Sequence, residues 1–153
     1  MNNNKNLFLS DDESAICNKY LEQGYVIAPV SDIDALSWIR EKFILIAREE
    51  LNISDDVSDS DLLNFIHERI SIPELNDFRL LVIKRINSLS DFRQKYYQVA
   101  KSYLDIIVGN ELSMQLKVNL SIQLPKDESS LLPIHADTWS GDSPFEVVVW
   151  IPL

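Results

Sequence analysis

The sequence has few of the residues that define disulfide-rich, collagen-like or membrane proteins. It contains three glycines, one cysteine and two histidines among 153 residues. The lone cysteine, Cys17, excludes an internal disulfide framework and favours a reducing setting. The N-terminus lacks the basic segment and apolar run of a secretory signal, and the longest wholly apolar runs, 43–47 and 147–151, are too short to span a membrane. We therefore predict a cytoplasmic protein with no membrane span.

The charge balance narrows the choice of partner. There are 24 acidic and 14 basic residues, so the formal net charge is −10. A protein of this sign repels phosphate backbones and anionic lipids. We therefore expect a small-molecule substrate or a protein partner, and no nucleic acid.

Residues 1–109 follow the 3.6-residue periodicity of amphipathic helices. The segment from Ser10 to Glu13 has the capping-box pattern that opens a helix, and Gly24 is placed to close it. Pro73 occupies a first-turn position ahead of another apolar stripe, and Gly109 ends the last one. These signals predict a helical N-terminal region over 1–109.

After Gly109 the apolar period changes from 3.6 to 2. Residues 114–124 alternate strictly between apolar and polar types, which predicts a half-buried strand. Further strands are predicted around Ile134–Asp137 and over Phe145–Ile151, the latter apolar enough to be buried on both faces. The pattern predicts an α+β fold. Because the sequence stops just after its most apolar strand, we expect the sheet to be incomplete without further strands.

One pair of residues has metal-ligand character. Residues i and i+2 of a strand point to the same face, so His135 and Asp137 would converge. One imidazole and one carboxylate, with a second histidine, form the facial triad of non-haem iron(II) oxygenases. A strand-end histidine hydrogen-bonded to a neighbouring aspartate explains the same spacing, which by itself favours that simpler interpretation.

The residues around this pair extend the pattern. The stretch LPIHADTWSGDSPFEVVVWIPL, residues 132–153, resembles the Fe(II)/2-oxoglutarate-dependent oxygenases of the phytanoyl-CoA dioxygenase type, in which H-x-D precedes an apolar strand reading roughly V-x-W-I-P-L. It is most similar to the oxygenases of bacterial sporadic carbohydrate gene clusters, which are associated with surface polysaccharide synthesis. The resemblance covers residues 113–153. It implies that residues 110–153 begin a double-stranded β-helix (a jelly-roll, cupin-like core) behind the helical N-terminal layer.

The resemblance also implies roles for single residues. His135 and Asp137 match the first two iron ligands, and Trp150 matches the strand position that lines the 2-oxoglutarate pocket. Asn119 and Gln123 lie on the polar face of the long strand, which in such a barrel would face the co-substrate. A solvent-facing polar stripe is the alternative interpretation for these two residues.

The implied reaction uses Fe(II) and 2-oxoglutarate, with ascorbate as an added reductant. The co-substrate is oxidised to succinate and carbon dioxide while a small molecule, such as a sugar or sugar conjugate, is hydroxylated. The second histidine ligand and the arginine that binds the co-substrate follow the W-I-P-L strand in the family, whereas this sequence ends there. His67 precedes the predicted sheet and is not expected to replace that histidine. We therefore expect the chain to be the N-terminal portion of an oxygenase, inactive without a C-terminal half or a second copy.

Two other functions fit the same residues. The chain could be a non-catalytic acidic α+β interaction module in which H-x-D is incidental; its two side chains would then be engaged by the core or by solvent. It could also be a cupin-type metal enzyme that does not use 2-oxoglutarate, since H-x-D suits other metals on a jelly roll. Metal-dependent turnover of the co-substrate separates these functions.

Overall fold

The computed structural model describes residues 8–128 and 133–153. Residue 132, where the oxygenase-like stretch begins, lies outside these ranges. The described chain forms five α-helices: α1 (Asp11–Gln23), α2 (Ile33–Leu51), α3 (Asp59–Asn64), α4 (Ile72–Asn87) and α5 (Phe92–Ile107). Two 3-10 helices span Ile66–Glu68 and Asp137–Ser140. No helix in these ranges is long and apolar enough to cross a membrane.

The helix ends form where local sequence signals predict them. The Ser10 hydroxyl accepts a hydrogen bond from the Glu13 amide at 3.2 Å, and the Glu13 carboxylate accepts one from the Ser10 amide at 2.7 Å. At the other end of α1, Gly24 adopts a left-handed conformation with φ of 77°, which glycine reaches without a steric cost. Pro73 lies in the first turn of α4. The predicted capping box, glycine stop and first-turn proline are confirmed.

The core is organised around α2, which packs against α3, α4 and α5, while α1 lies on α5. Helix α1 contributes no fully buried residue, so the core belongs to the other helices. Three residues outside the helices, Ile70, Ile122 and Leu124, are buried in the same cluster. The buried helical residues that form it are Ala35, Ile39, Phe43, Ile44, Ile46, Ala47, Leu62, Leu75, Phe78, Val82, Ile86, Phe92 and Val99.

The predicted α+β fold with the first strands of a jelly roll is wrong for the described residues, which contain helices and no β-strand. Residues 114–124 and 145–151 form no backbone hydrogen-bond ladder with a neighbouring strand, and residues 137–140 form a 3-10 helix. The physical reason is that a strand needs the backbone of a neighbour. Apolar alternation encodes which side chains are buried, but it does not supply the neighbour.

Both apolar segments nevertheless pack on the helices with a period of two. In residues 118–124 the even-numbered side chains are buried or half-buried and the odd-numbered ones exposed; in residues 147–153 the odd-numbered ones face inward. This alternation is that of an extended chain. Residues 147–151 are therefore half-buried on one side and exposed on the other, and Phe145 is 89% exposed. The prediction that segment 145–151 is buried on both faces is wrong.

Polar side chains of the helices form hydrogen bonds with the backbone of the extended segments, as a neighbouring strand would. The Asn87 amide makes two 2.8 Å hydrogen bonds with the backbone of Val118. The Arg79 side chain donates to the Leu120 carbonyl at 3.3 Å, and the Tyr96 hydroxyl donates to the Val149 carbonyl at 2.6 Å. These contacts attach the C-terminal third of the chain to α4 and α5.

Candidate metal-binding pair

The structure brings the side chains of His135 and Asp137 together. His135 Nε2 lies 3.5 Å from Asp137 Oδ1, and the two side chains are 46% and 57% exposed. This distance is longer than the 2.7–3.2 Å typical of a hydrogen bond between such groups. The two donor atoms therefore face the same solvent-accessible region without being closely bonded to each other.

The other ring nitrogen of His135 is already engaged. Nδ1 lies 2.7 Å from the backbone carbonyl of Pro133. A carbonyl oxygen can only accept, so Nδ1 must carry the proton and, in the neutral ring, Nε2 keeps its lone pair. Metal-binding histidines are characteristically held in this way, with the second ring nitrogen donating to a carbonyl or carboxylate. Sequence reasoning missed Pro133, because a contact made by a backbone carbonyl leaves no mark on residue type.

The local backbone explains the convergence of the pair. Ala136 is extended, with φ −124° and ψ 133°, so the side chains on either side of it point the same way. Asp137 then begins the 3-10 helix, which ends at Gly141 with φ 99°. The Asp142 amide donates to the Asp137 carbonyl at 3.3 Å and closes the turn. The predicted strand at this place is wrong, but one extended residue is enough to align the two side chains.

The described residues add no further metal ligand to His135 and Asp137. They contain no group of three or more histidine, cysteine, aspartate or glutamate side chains that could hold one metal ion. His67 lies in the 3-10 helix Ile66–Glu68 on the helical side of the chain, with its ring 6.1 Å from that of Phe65. Residues 1–7 and 129–132 contain none of these four residue types. Of these residue types, the described chain therefore brings only His135 and Asp137 together here.

The residues predicted to touch the co-substrate are all exposed. Trp150 is 78% exposed, and Asn119 and Gln123 lie on the outer side of the extended segment. The Gln123 side chain donates to the Ser121 hydroxyl at 3.1 Å. The described chain does not enclose these three side chains with His135 and Asp137 in a shared cavity.

Two open surface clefts of the described chain lie elsewhere. A cleft of about 350 Å³ between α5 and the two residues before α2 is lined by Ser31, Asp32, Gln98, Lys101, Ser102 and Asp105. A second, of about 570 Å³, lies beside α5 and includes Arg93, Tyr97 and Met114. In the first cleft the hydrogen bond between Lys101 and Asp105 raises the pKa of the lysine and lowers the pKa of the aspartate. Lys101 and Asp105 therefore bond to each other, and the Asp32 carboxylate accepts from the Ala35 amide at 2.9 Å. Neither cleft is lined by His135 or Asp137.

Comparison with known proteins gives no support for a family assignment, which therefore rests on the H-x-D motif and the residues around it. No protein-family model matches the chain, and no curated protein or solved structure matches it.

Proposed function

We propose that this chain supplies His135 and Asp137 as two ligands of a mononuclear iron(II) site in a 2-oxoglutarate-dependent oxygenase. The observation that carries the proposal is the placement of His135. Its Nδ1–H is held by the Pro133 carbonyl at 2.7 Å, and its Nε2 lies 3.5 Å from Asp137 Oδ1.

The donor set fits iron(II) in part. Neutral imidazole and carboxylate are the ligand types of the facial triad. Among the residues that the structure describes, His135 Nε2 and the Asp137 carboxylate have no closer polar partner than each other. Donor atoms that share one ion at about 2.1 Å lie roughly 3.0–3.5 Å apart, so the observed separation needs little movement. The acidic chain, with a net charge of −10, also favours a cation.

The proposed reaction is hydroxylation of a small molecule, a sugar or sugar conjugate of surface carbohydrate. Iron(II) would supply the dioxygen chemistry: one oxygen atom enters a C–H bond of the substrate, the other enters succinate, and 2-oxoglutarate loses carbon dioxide. The part of this chain is to hold the metal through His135 and Asp137 and to orient the imidazole through Pro133. Trp150, Asn119 and Gln123 are proposed to line the co-substrate side.

The proposal is tested by titrating the purified chain with iron(II) under anaerobic conditions and measuring the heat of binding by calorimetry. We expect weak binding with one site, because two protein donors compete with water for the ion. His135→Ala and Asp137→Ala should each lower the affinity at least tenfold. The matched controls His67→Ala and Asp142→Asn should bind as the unaltered chain does.

The co-substrate distinguishes this proposal from binding of iron alone. 2-Oxoglutarate offers two further oxygen donors to the same ion, so we expect it to tighten iron binding, and we expect succinate, which lacks the keto group, not to do so. Unchanged affinity in both His135→Ala and Asp137→Ala would overturn the metal site. Iron binding that ignores 2-oxoglutarate would overturn the oxygenase and leave a simple metal site.

A further inference from the structure

A short hydrogen-bonded turn follows His135 and Asp137 in the chain. The Trp139 amide donates to the Ala136 carbonyl at 2.9 Å, and the Asp142 amide donates to the Asp137 carbonyl at 3.3 Å. The first of these bonds fixes the peptide group between Ala136 and Asp137. Because Ala136 is the extended residue that points the two side chains the same way, the turn holds the backbone that aligns them.

Gly141 closes this turn in a backbone conformation that other residues adopt only at a cost. Its φ is 99° and its ψ is 7°, in the left-handed region that disfavours a Cβ atom. Its amide donates to the Thr138 carbonyl at 3.2 Å. Among the described residues, none outside the adjacent positions has a heavy atom within 4 Å of a Cβ atom added at Gly141. Glycine is therefore favoured here by the backbone conformation and not by a lack of space.

We propose that Gly141 is a positioning residue, whose left-handed conformation keeps the turn closed and so holds the Asp137 carboxylate beside His135 Nε2. The inference rests on the proposed function, since the alignment matters for chemistry only if the two side chains share a metal ion. The side chains of His135 and Asp137 are 46% and 57% exposed, so packing restrains them little and the backbone carries the alignment. Donors that are aligned before the ion arrives bind it more tightly, because the chain loses less conformational freedom on binding.

The conformational preference of residues other than glycine sets the size of the effect. A Cβ atom disfavours the left-handed conformation, relative to the right-handed one, by a factor of roughly five to thirty. Gly141→Ala should therefore shift the turn toward open forms by about that factor. The apparent affinity for iron(II) falls with the fraction of closed turn, so we expect Gly141→Ala to weaken binding by about three- to tenfold.

Three substitutions of Gly141 separate the effect of backbone conformation from that of side-chain size. Asparagine is larger than alanine but tolerates positive φ better, whereas a β-branched residue such as valine tolerates it least. If conformation decides, Gly141→Asn is the mildest change, Gly141→Ala is intermediate and Gly141→Val is the most severe. If side-chain size decided instead, Gly141→Ala would be milder than Gly141→Asn.

NMR spectroscopy of the full chain without added metal tests the positioning independently of iron. The nuclear Overhauser effect between the His135 ring and the β-protons of Asp137 reports how close the two side chains are. We expect this signal to weaken in the order Gly141→Asn, Gly141→Ala, Gly141→Val, while circular dichroism establishes that the variants remain folded. The matched control is Gly24→Ala, because Gly24 is also left-handed, with φ of 77°, and has open space around it, but it closes α1. This control should leave the signal unchanged.

Anaerobic calorimetric titration of the same proteins with iron(II) tests what the alignment is for. The affinity should fall in the same order as the NMR signal, and Gly24→Ala should bind as the unaltered chain does. An unchanged signal between His135 and Asp137 in Gly141→Val would overturn the inference, and so would a milder effect of Gly141→Ala than of Gly141→Asn. If the signal follows the expected order but the unaltered chain binds no iron(II), the positioning by Gly141 stands and the proposed function fails.

Discussion

Asn87 forms with Val118 the two hydrogen bonds that a neighbouring strand would otherwise provide. Asn87 Nδ2 donates to the Val118 carbonyl and Asn87 Oδ1 accepts from the Val118 amide, both at 2.8 Å. The same Nδ2 also donates to the Ile83 carbonyl one turn back in α4. A planar amide that both donates and accepts imitates a peptide group. This contact anchors the extended segment on the helices and leads to Ile122 and Leu124 in the core.

Replacing Asn87 by alanine should leave both backbone groups of Val118 without their partners. Because these groups are partly buried, we expect the free energy of unfolding to fall by about 1–3 kcal/mol. Asn76→Ala, at an exposed site on the same helix, should change it by less than about 0.5 kcal/mol. Urea unfolding of the three proteins measures the difference. Equal stability of the two variants would contradict this role for Asn87.

Tyr96 should make stability depend on alkaline pH. Burial raises the pKa of its hydroxyl above the ordinary value of 10.0, and this hydroxyl also donates to the Val149 carbonyl at 2.6 Å. Above pH 10 the unfolded state releases this proton more readily than the folded state, so stability is lost as the pH rises through the folded-state pKa. We expect Tyr96→Phe to cost about 0.5–1.5 kcal/mol at pH 7.

The stability difference between the unaltered chain and Tyr96→Phe, measured by urea unfolding at several pH values, shows whether titration of Tyr96 lowers stability. It should shrink between pH 9 and pH 11, because phenylalanine does not titrate. A difference that stays constant over this range would show that the Tyr96 hydroxyl titrates alike in the folded and unfolded states.

Glu74 should contribute to stability on the acid side. Hydrogen bonds from the Ser71 hydroxyl and amide lower its pKa below the ordinary value of 4.5. The contribution is therefore present above pH 4.5 and is lost as the pH falls through the folded-state pKa. Glu74→Gln should weaken the dependence of stability on pH between 3 and 5. An unchanged dependence in Glu74→Gln would contradict this role of the carboxylate.

The chain by itself should not release succinate. Two donors leave the metal one protein ligand short, and no arginine follows Asp137 to bind the distal carboxylate of 2-oxoglutarate. We therefore expect that the chain with iron(II), ascorbate and 2-oxoglutarate under air forms no more succinate than His135→Ala does. Turnover clearly above this control would mean that the site is completed, for example across two copies.

Structural features that depend only on neighbouring residues, such as helix caps, could be predicted from the sequence. The capping box at Ser10 and the glycine stop at Gly24 involve neighbours along the chain, and the structure confirms both. The alternation predicted over residues 114–124 identifies the side that faces the core from Val118 to Leu124, but it fails at Leu116, which is 77% exposed. The sheet could not be predicted in the same way, because a ladder needs a second backbone that no local pattern encodes.

The candidate site likewise has one part that could be predicted from the sequence and one part that could not. The spacing of His135 and Asp137 predicts their convergence, because one extended residue between them is sufficient. The Pro133 carbonyl that orients the imidazole, and the Tyr96 hydroxyl that holds Val149, could not be found from residue types. Both contacts involve backbone carbonyls, which every residue carries.

The proposed iron site depends on the two ring nitrogens of His135, and nitrogen-15 NMR of the histidine side chains observes them directly. The chain has two histidines, so His67 serves as an internal reference. We predict that neutral His135 carries its proton on Nδ1, and that anaerobic iron(II) shifts or broadens its Nε2 signal while the His67 signals stay in place. A proton on Nε2 in the metal-free chain, or iron-induced changes at His67 and not at His135, would contradict the proposed site.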